Sequence, residues 1–432
     1  MRRNTWYRLL AVLLAFALVA AACGGDDDDP IADAPAATDD GGEPEEASDD
    51  GSTVAPAGLA DVCPNPFIIQ SDWFPESEHG AIYELIGDGY SVDADQKSVR
   101  GPMVLGGQDL GIEVEVRAGG PALGGQSVSV IMATDDDITL GYGSTDQLVL
   151  RYETAPLKSV LAPLENNPQI VMWDPESLPG VETIADLGEL GTTIQVFSAG
   201  TWQLVLAGLG VIDIDQVDPS YDGSPARFIA EGNIAQQGFA SAEPYEYENN
   251  IEEYGRKVGF QLLSDAGFEI YSQTLAIRPD RQEELDACLQ QIVPIIQQSA
   301  VNFYASPDRA NATIVDTVEQ YDTFWSYEPG LAAYSVQAQL DLGLAGNGPD
   351  STLGNMDLDR IQGVMDSIRL AGLEFPDDLT PEDITTNEYI DNSIGLPPNT
   401  GGGSDTDEDA APAALADVCP NPFIIQSDWF PE

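Results

Sequence analysis

Apolar residues recur along the chain in two rhythms. Phe67-Ile68-Ile69 is a compact run after Pro66 and predicts a strand over 67–70. Ile82, Leu85 and Ile86 fall on one face of a helix predicted over 78–86. Ile112, Val114 and Val116 alternate with polar residues, the rhythm of a half-buried strand. Further strands are predicted over 137–142, 170–173, 193–197 and 237–240. Ser144-Thr145-Asp146-Gln147 fits a capping box that opens a helix through Leu150, and Gly210 stops a helix over 201–209. A helix holding Glu243-Pro244-Tyr245 follows the 237–240 strand. Leu285, Cys288, Leu289 and Ile292 form a helical stripe facing the core, and two late helices are predicted over 357–370 and 381–390. Strands alternating with helices predict an α/β fold with mainly parallel sheets, and residues 58–398 are long enough for two lobes.

The two ends follow different patterns. Arg2, Arg3 and Arg8 precede an apolar run over 9–19, followed by Ala20-Ala21-Ala22-Cys23. A cationic start, a short apolar segment and small residues are the parts of a secretory signal, and the run is too short to span about 30 Å of hydrocarbon. Cys23 directly after three alanines resembles the bacterial lipoprotein signal, in which that cysteine carries lipid and becomes the mature N-terminus. The alternative is an ordinary signal with an incidental cysteine. On the lipoprotein reading residues 1–22 are the signal peptide and 23–57 an acidic tether, with Asp26-Asp27-Asp28-Asp29, Glu43-Pro44-Glu45-Glu46 and no aromatic residue. Such a segment buries too little to offset its ordering entropy and is predicted to be disordered. Residues 415–432, LADVCPNPFIIQSDWFPE, repeat residues 59–76 letter for letter after a Gly- and Asp-rich linker over 399–414. One strand does not make a fold, so this reads as a truncated tandem domain or an assembly artefact. A strand that adds to a neighbouring sheet edge is the functional alternative.

Charge narrows the partners. The chain has 74 acidic and 16 basic residues, a formal net charge of −58, and residues 26–50 hold only 12 of those acids. The globular part is therefore strongly acidic too, with Lys97, Lys158 and Lys257 its only lysines. Nucleic acid is excluded as a partner, since nothing basic replaces its counterions. Cys63 and Cys288 lie in the globular part of an exported chain, where disulfides persist, and are predicted to pair, with two free buried thiols as the alternative. Cys419, in the duplicate, is left without its natural partner.

Candidate chemistry gathers where strands hand over to helices. Asp72-Trp73-Phe74-Pro75-Glu76 follows the first strand, with His79 one turn on; Tyr142-Gly143-Ser144-Thr145, Ser198-Ala199-Gly200-Thr201-Trp202 and Ala242-Glu243-Pro244-Tyr245 occupy equivalent places. In open α/β sheets ligands bind beyond the carboxyl ends of the strands. Trp73, Tyr142, Trp202 and Tyr245 are candidates to sandwich a flat ring, Glu76 and Glu243 to accept from ring amino groups, and Ser144, Thr145 and Thr201 to contact a polar substituent. Each aromatic taken singly also suits a core position.

The run from Asp72 to Gly80 resembles the DW-x-P-x-x-x-H signature of substrate-binding proteins akin to the thiamine-pyrimidine precursor binders. Relatives of that family include the aliphatic sulfonate, taurine and nitrate receptors of ABC importers. Weaker similarity continues at Ile184-Ala185-Asp186-Leu187 and at Thr386-Asn387-Glu388-Tyr389-Ile390. The resemblance implies a periplasmic-binding-protein type II fold, two α/β lobes joined by a two-strand hinge with ligand in the cleft. One lobe would be 58–158 plus 271–398 and the other 159–270. It also implies a small-molecule ligand, an ABC permease with its ATPase as partner, and a monomer on the outer face of the cytoplasmic membrane. His79 would contact ligand or order the motif. Gly188-Glu189-Leu190-Gly191-Thr192-Thr193 departs from the family in lacking its usual lysines. An enzymatic branch of the family depends on a cysteine-rich iron motif, and no CCCFC-like run occurs here, so that chemistry is not carried over.

The competing class is an exported hydrolase. His79 is the sole histidine, so a Ser-His-Asp or Cys-His arrangement would have to use it. No C-x-x-C or H-E-x-x-H is present, and in so acidic a chain paired carboxylates are uninformative. No catalytic residue, metal or cofactor is assigned. A lipid-anchored adhesion or scaffold protein is disfavoured by the lack of repeats beyond the terminal duplicate.

Overall fold

The computed structural model describes residues 58–397 apart from Ala199. The signal peptide, Cys23, the tether, the linker and the duplicate with Cys419 lie outside the described residues.

Twelve strands occur among the described residues: β1 (Phe67–Gln70), β2 (Ser91–Asp93), β3 (Ser98–Leu105), β4 (Gln108–Arg117), β5 (Leu140–Gly143), β6 (Lys158–Leu161), β7 (Gln169–Trp173), β8 (Ile194–Gln195), β9 (Val217–Asp218), β10 (Ala235–Phe239), β11 (Gly259–Leu262) and β12 (Thr274–Ile277). They form two sheets, ordered β2-β3-β4-β1-β5-β12-β6 and β11-β7-β10-β8-β9. β1 lies parallel between β4 and β5, and β8 lies parallel between β10 and β9. β12 runs against β5 and β6, and β7 against β10 and β11. The series β4-β1-β5-β12-β6 thus recurs as β9-β8-β10-β7-β11. In each sheet the reversed strand is the one by which the chain arrives from the other sheet, so two crossings, over 162–168 and 263–273, join them.

The sheets are therefore mixed rather than mainly parallel. The hairpin β2–β3, unseen in the apolar pattern, adds antiparallel strands to the first. Gly101 and Pro102 interrupt β3, and its pairing with β4 shifts register between Pro102 and Val104. Proline inside a strand is tolerated at such an irregularity, and it hides the strand from a pattern search. The helix expected over 78–86 shortens to a 3₁₀ turn Ser77–His79 and one helical turn Gly80–Tyr83. Leu85 and Ile86 leave it to meet β3, where Val104 N–H donates to Leu85 O at 2.8 Å. The helix expected over 381–390 ends at Ile384 because Thr386 N–H turns to Ser159 O, 2.9 Å away on β6. Ser144 makes no side-chain cap, so the capping box does not form. The helix Thr145–Leu150 is instead tied to the second crossing: Thr145 N–H donates to Tyr271 O at 3.0 Å, and Thr145 Oγ1 accepts from Tyr271 N–H at 3.2 Å.

Two cores result. Phe67 and Ile69 of β1 face the long helix Gln282–Ala305, which contributes Leu285, Leu289, Ile292 and Ile296. Cys288 on the same stripe is disulfide-bonded to Cys63, with Cα atoms 4.8 Å apart. The second core spans both sheets: Ile68 and Leu148 share it with Val171, Trp173 and Leu206, and with Ile361, Met365 and Ile368 of the helix Leu358–Leu370. Arg360 on that helix fastens both crossings. Its Nη1 donates to Glu165 Oε1 at 2.9 Å in the first. Its Nε and Nη2 donate to the Glu269 and Ile270 carbonyls in the second, at 2.7 and 3.0 Å, and its guanidinium stacks 3.9 Å from the Tyr271 ring. Both charged side chains are withdrawn from water, at 13% and 14% exposure, and burial holds the Glu165 carboxyl above its usual range despite the arginine.

Arg360→Ala strands a buried carboxylate and frees two carbonyls, so urea unfolding should show a loss of about 3 kcal/mol or more; a loss below about 1 kcal/mol would show that the crossings do not depend on it. The disulfide joins residues 225 apart, and Cys63→Ser with Cys288→Ser should lower stability by about 2–5 kcal/mol in the same assay.

Candidate functional site

The end of β1 is built to hold an irregular turn. Gln70 is buried, and its Nε2 donates to the carbonyls of Ser71, Arg117 and Ala118 at 3.1, 3.1 and 2.9 Å, sewing the ends of β1 and β4 together. Ser71 Oγ donates to Trp73 O at 2.6 Å. The Trp73 ring lies against Gly120, whose φ of +56° suits glycine and whose missing side chain leaves room for the indole. Pro75 O accepts from Trp325 Nε1–H at 3.2 Å, and Ser77 N–H donates to Tyr327 Oη at 2.9 Å. Gly80 lets the short helix close on Phe303, since any Cβ there would collide with its ring.

His79 is fully buried, with Nε2 2.8 Å from Asp72 Oδ1 and its ring 5.1 Å from that of Tyr142. His79 Nδ1 and the hydroxyls of Tyr83 and Tyr142 are buried without a hydrogen-bond partner among the described residues. A cavity of about 160 Å³ opens beside Tyr142, lined by Asp72, Tyr142 and Ser144 together with Ser127, Ser129 and Ser272. Gln126 and Gln147 complete its polar wall, while Val128, Leu148 and Leu157 give it an apolar floor.

Across the cleft the second sheet presents Ser241 and Glu243. The Ser241 hydroxyl donates to Glu78 Oε1, and Glu243 Oε2 accepts from Phe239 N–H at 2.6 Å. Tyr334 Oη donates to Ala240 O at 3.1 Å, and Trp73 meets Phe197 edge-on at 6.4 Å, so the lobes touch on either side of the acids. Burial pushes the Glu76 carboxyl well above the usual carboxylate range, and Glu78, Asp72 and Glu243 push it further. Glu78 is raised by burial against the opposing pull of the Ser241 hydroxyl. Glu243 is raised to about 7, again by burial.

The residues singled out from sequence divide by place. Tyr142 and Ser144 line the cavity; Trp73, Glu76 and His79 follow Asp72 of its wall along the chain, and Glu243 belongs to the second lobe. Thr145 spends its hydroxyl on the second crossing. Thr201 and Trp202 are buried, and Trp202, 5% exposed, packs in the core shared by the sheets rather than at the cleft. Tyr245 of the second lobe lies 5.4 Å from the Tyr334 ring with its hydroxyl over Gly330, both on a first-lobe helix, so it bridges the lobes without lining the cavity. Missed were Ser127, Ser129, Ser272 and the Trp325–Phe197 rim. A glycine-rich run over 119–125 before Ser127 signals a loop that approaches something closely. Ser272 carries no such signal, because only the second crossing brings it to the cavity.

No protein-family model matches this chain, and no curated protein sequence does. Solved structures match in shape. An ABC transporter protein from Parabacteroides distasonis is 11% identical, with 73% of this chain and 98% of that one covered and a TM-score of 0.45. The periplasmic aliphatic sulphonate binding protein SsuA from Escherichia coli is 12% identical, with 82% and 98% covered and a TM-score of 0.45. The desulfurization enzyme DSZB is 12% identical, with 76% and 99% covered and a TM-score of 0.43. Likenesses this distant carry no functional argument, and binding proteins and an enzyme stand among them. The architecture is read from the strand order: two α/β lobes of one topology, each entered by a reversed strand, with polar groups meeting between them. This strand order is the one expected of the periplasmic-binding-protein type II fold.

The raised carboxyls fix a pH dependence. The folded protein holds these protons more tightly than the unfolded chain, so stability is full below about 4.5 and falls as pH rises through about 7. Thermal unfolding followed by circular dichroism should give a higher Tm at about pH 5 than at about pH 8, and Glu243→Gln should recover on the order of 1–3 kcal/mol at the higher pH. An equal gain at both pH values would mean that Glu243 does not titrate in this window.

Proposed function

We propose that the chain is the extracytoplasmic solute-binding receptor of an ABC importer, held at the outer face of the cytoplasmic membrane by lipid on Cys23. It captures a small molecule between its lobes and delivers it to a permease with its ATPase, acting as a monomer. The lobe bounds expected at 158/159 and 270/271 shift by a few residues, because β6 pairs with β12 in the first sheet: lobe 1 is 58–161 with 274–397, lobe 2 is 169–262, and the crossings join them. The observation that carries this reading is the cavity at the strand ends, with the Tyr142 hydroxyl and Ser272 Oγ on its wall buried and unpartnered among the described residues. Buried polar groups are ordinarily satisfied, and a bound solute supplies such partners. Two crossings beside the cavity suit a hinge, and closure on ligand would then present the form that docks. Among the described residues no helix is long and apolar enough to cross a membrane, so the reading places attachment at the N-terminal cysteine.

The best-supported ligand is a flat heteroaromatic such as a thiamine-type pyrimidine. Trp73 and Trp325 offer ring faces and edges at the cleft, 6.0 Å apart at 87°, and Glu76 and Glu243 stand ready to accept from amino groups. One observation favours a sulfonate, taurine or nitrate instead: Ser127, Ser129, Ser144 and Ser272 place four hydroxyls around the cavity, a set suited to an oxyanion. Hydrolysis is less well supported. His79 turns Nε2 to Asp72 while Nδ1 has no partner, an arrangement that orders the motif without activating a hydroxyl.

A thermal-shift screen of the purified chain tests the reading, because stabilisation follows occupancy. Pyrimidines should raise Tm, and Trp73→Ala should weaken their binding by about 1–3 kcal/mol if stacking contributes as it does for nucleobases. Stabilisation by sulfonates alone would replace the ring by an oxyanion. Unchanged affinity in Trp73→Ala would assign Trp73 to packing.

A further inference from the structure

The charge around the cleft is one-sided. Asp72 lies on the cavity wall, with Glu76 and Glu78 within the next two turns of chain and Glu243 facing them from the second lobe. No lysine or arginine lines the cavity. Arg151 reaches it only through Gln147, donating to Oε1 at 3.0 Å. The other arginines nearby are committed elsewhere: Arg117 to Glu115 and Asp135, Arg309 to Glu84, and Arg360 to Glu165. Asp72 retains 34% exposure of its side chain, and the Tyr142 hydroxyl of the same cavity is buried with no partner among the described residues. Trp73, next to Asp72 in the chain, meets Phe197 and Trp325 edge-on.

We propose that the cleft selects an organic cation, a small molecule bearing an ammonium, amidinium or ring-borne positive charge that sits among Asp72, Glu76 and Glu243 under the Trp73 rim. This rests on the receptor reading and sharpens its ligand. His79 offsets Asp72, but among the described residues no basic side chain meets Glu76 or Glu243, and carboxyls brought together out of water repel one another. A cationic ligand removes that repulsion on entry, and ring faces attract it further. An anion meets the same carboxyls as an obstacle, whatever the serine hydroxyls offer. Entry of the cation drives the raised carboxyls to ionise, so protons leave as it binds. A neutral ring gains the stacking but not the charge.

The test uses the purified full chain and isothermal titration with four probes: an aminomethylpyrimidine, its neutral hydroxymethyl counterpart, thiamine and ethanesulfonate. The charged pyrimidine or thiamine should bind at least about tenfold more tightly than the neutral ring, with a margin that shrinks as salt rises. Runs in two buffers of different ionisation enthalpy should show proton release. Glu76→Gln and, separately, Asp72→Asn should remove most of the margin between charged and neutral rings, and circular dichroism with the unliganded Tm of each variant reports that it is folded. Equal or tighter binding of the neutral ring or of ethanesulfonate overturns the cation proposal and leaves the receptor reading standing. If no probe of any charge binds, both fall together.

Discussion

Arg360 sets the constraint on which the rest of this molecule depends. A two-lobed chain must cross between sheets twice, and each crossing is irregular backbone whose polar groups need partners. Here one guanidinium serves both, by a carboxylate in the first and two carbonyls and a ring face in the second. The helix that carries it packs on residues of both lobes, so the crossings, the helix and the second core form one unit. Tyr271 extends that unit to the site. Its backbone is bound to Thr145 and its hydroxyl accepts from Asp357 N–H at 2.9 Å, while Ser272, the next residue, stands on the cavity wall. The wall of the cleft is thereby positioned by the same contacts that hold the lobes together.

The opposite face of the cleft depends on stability given up locally. Glu76, Glu78 and Glu243 all sit above their usual range because burial penalises their charge. Each is partly compensated where geometry allows, Glu78 by the Ser241 hydroxyl and Glu243 by a backbone amide. Glu76 is the least supported and receives the repulsion of the others. Strain of this kind is retained where it serves a ligand, because a core built for stability alone would replace such groups with apolar ones.

Much of the frame was legible in the residues. The strands at 67–70 and 170–173 and the long stripe through Cys288 stand out by periodicity, while an exported compartment permitted the Cys63–Cys288 pairing without requiring it. The motif from Asp72 to Gly80 puts Asp72 on the cavity wall, and that placement is local, since the sequence next to a strand determines how the strand ends. What stayed hidden was set by distant contacts. β3 was masked by Gly101 and Pro102, the capping box at Ser144 lost to the Tyr271 backbone, and Trp202 was drawn into the shared core. Ser272 and Trp325 reach the site only because the chain returns from the second lobe, and no window of sequence around either contains that information.

The position of β1 bears on the order in which the molecule can be assembled. It is the first strand made, yet it lies in the middle of its sheet, and the cysteine just ahead of it waits for a partner 225 residues later. The neighbours of β1 arrive at β4 and β5, but the sheet gains its last two strands only when β12 returns to bridge β5 and β6. A chain made from its N-terminus therefore carries an apolar central strand and a free thiol until residue 288 has been added, so these groups need cover well before the finished fold can provide it.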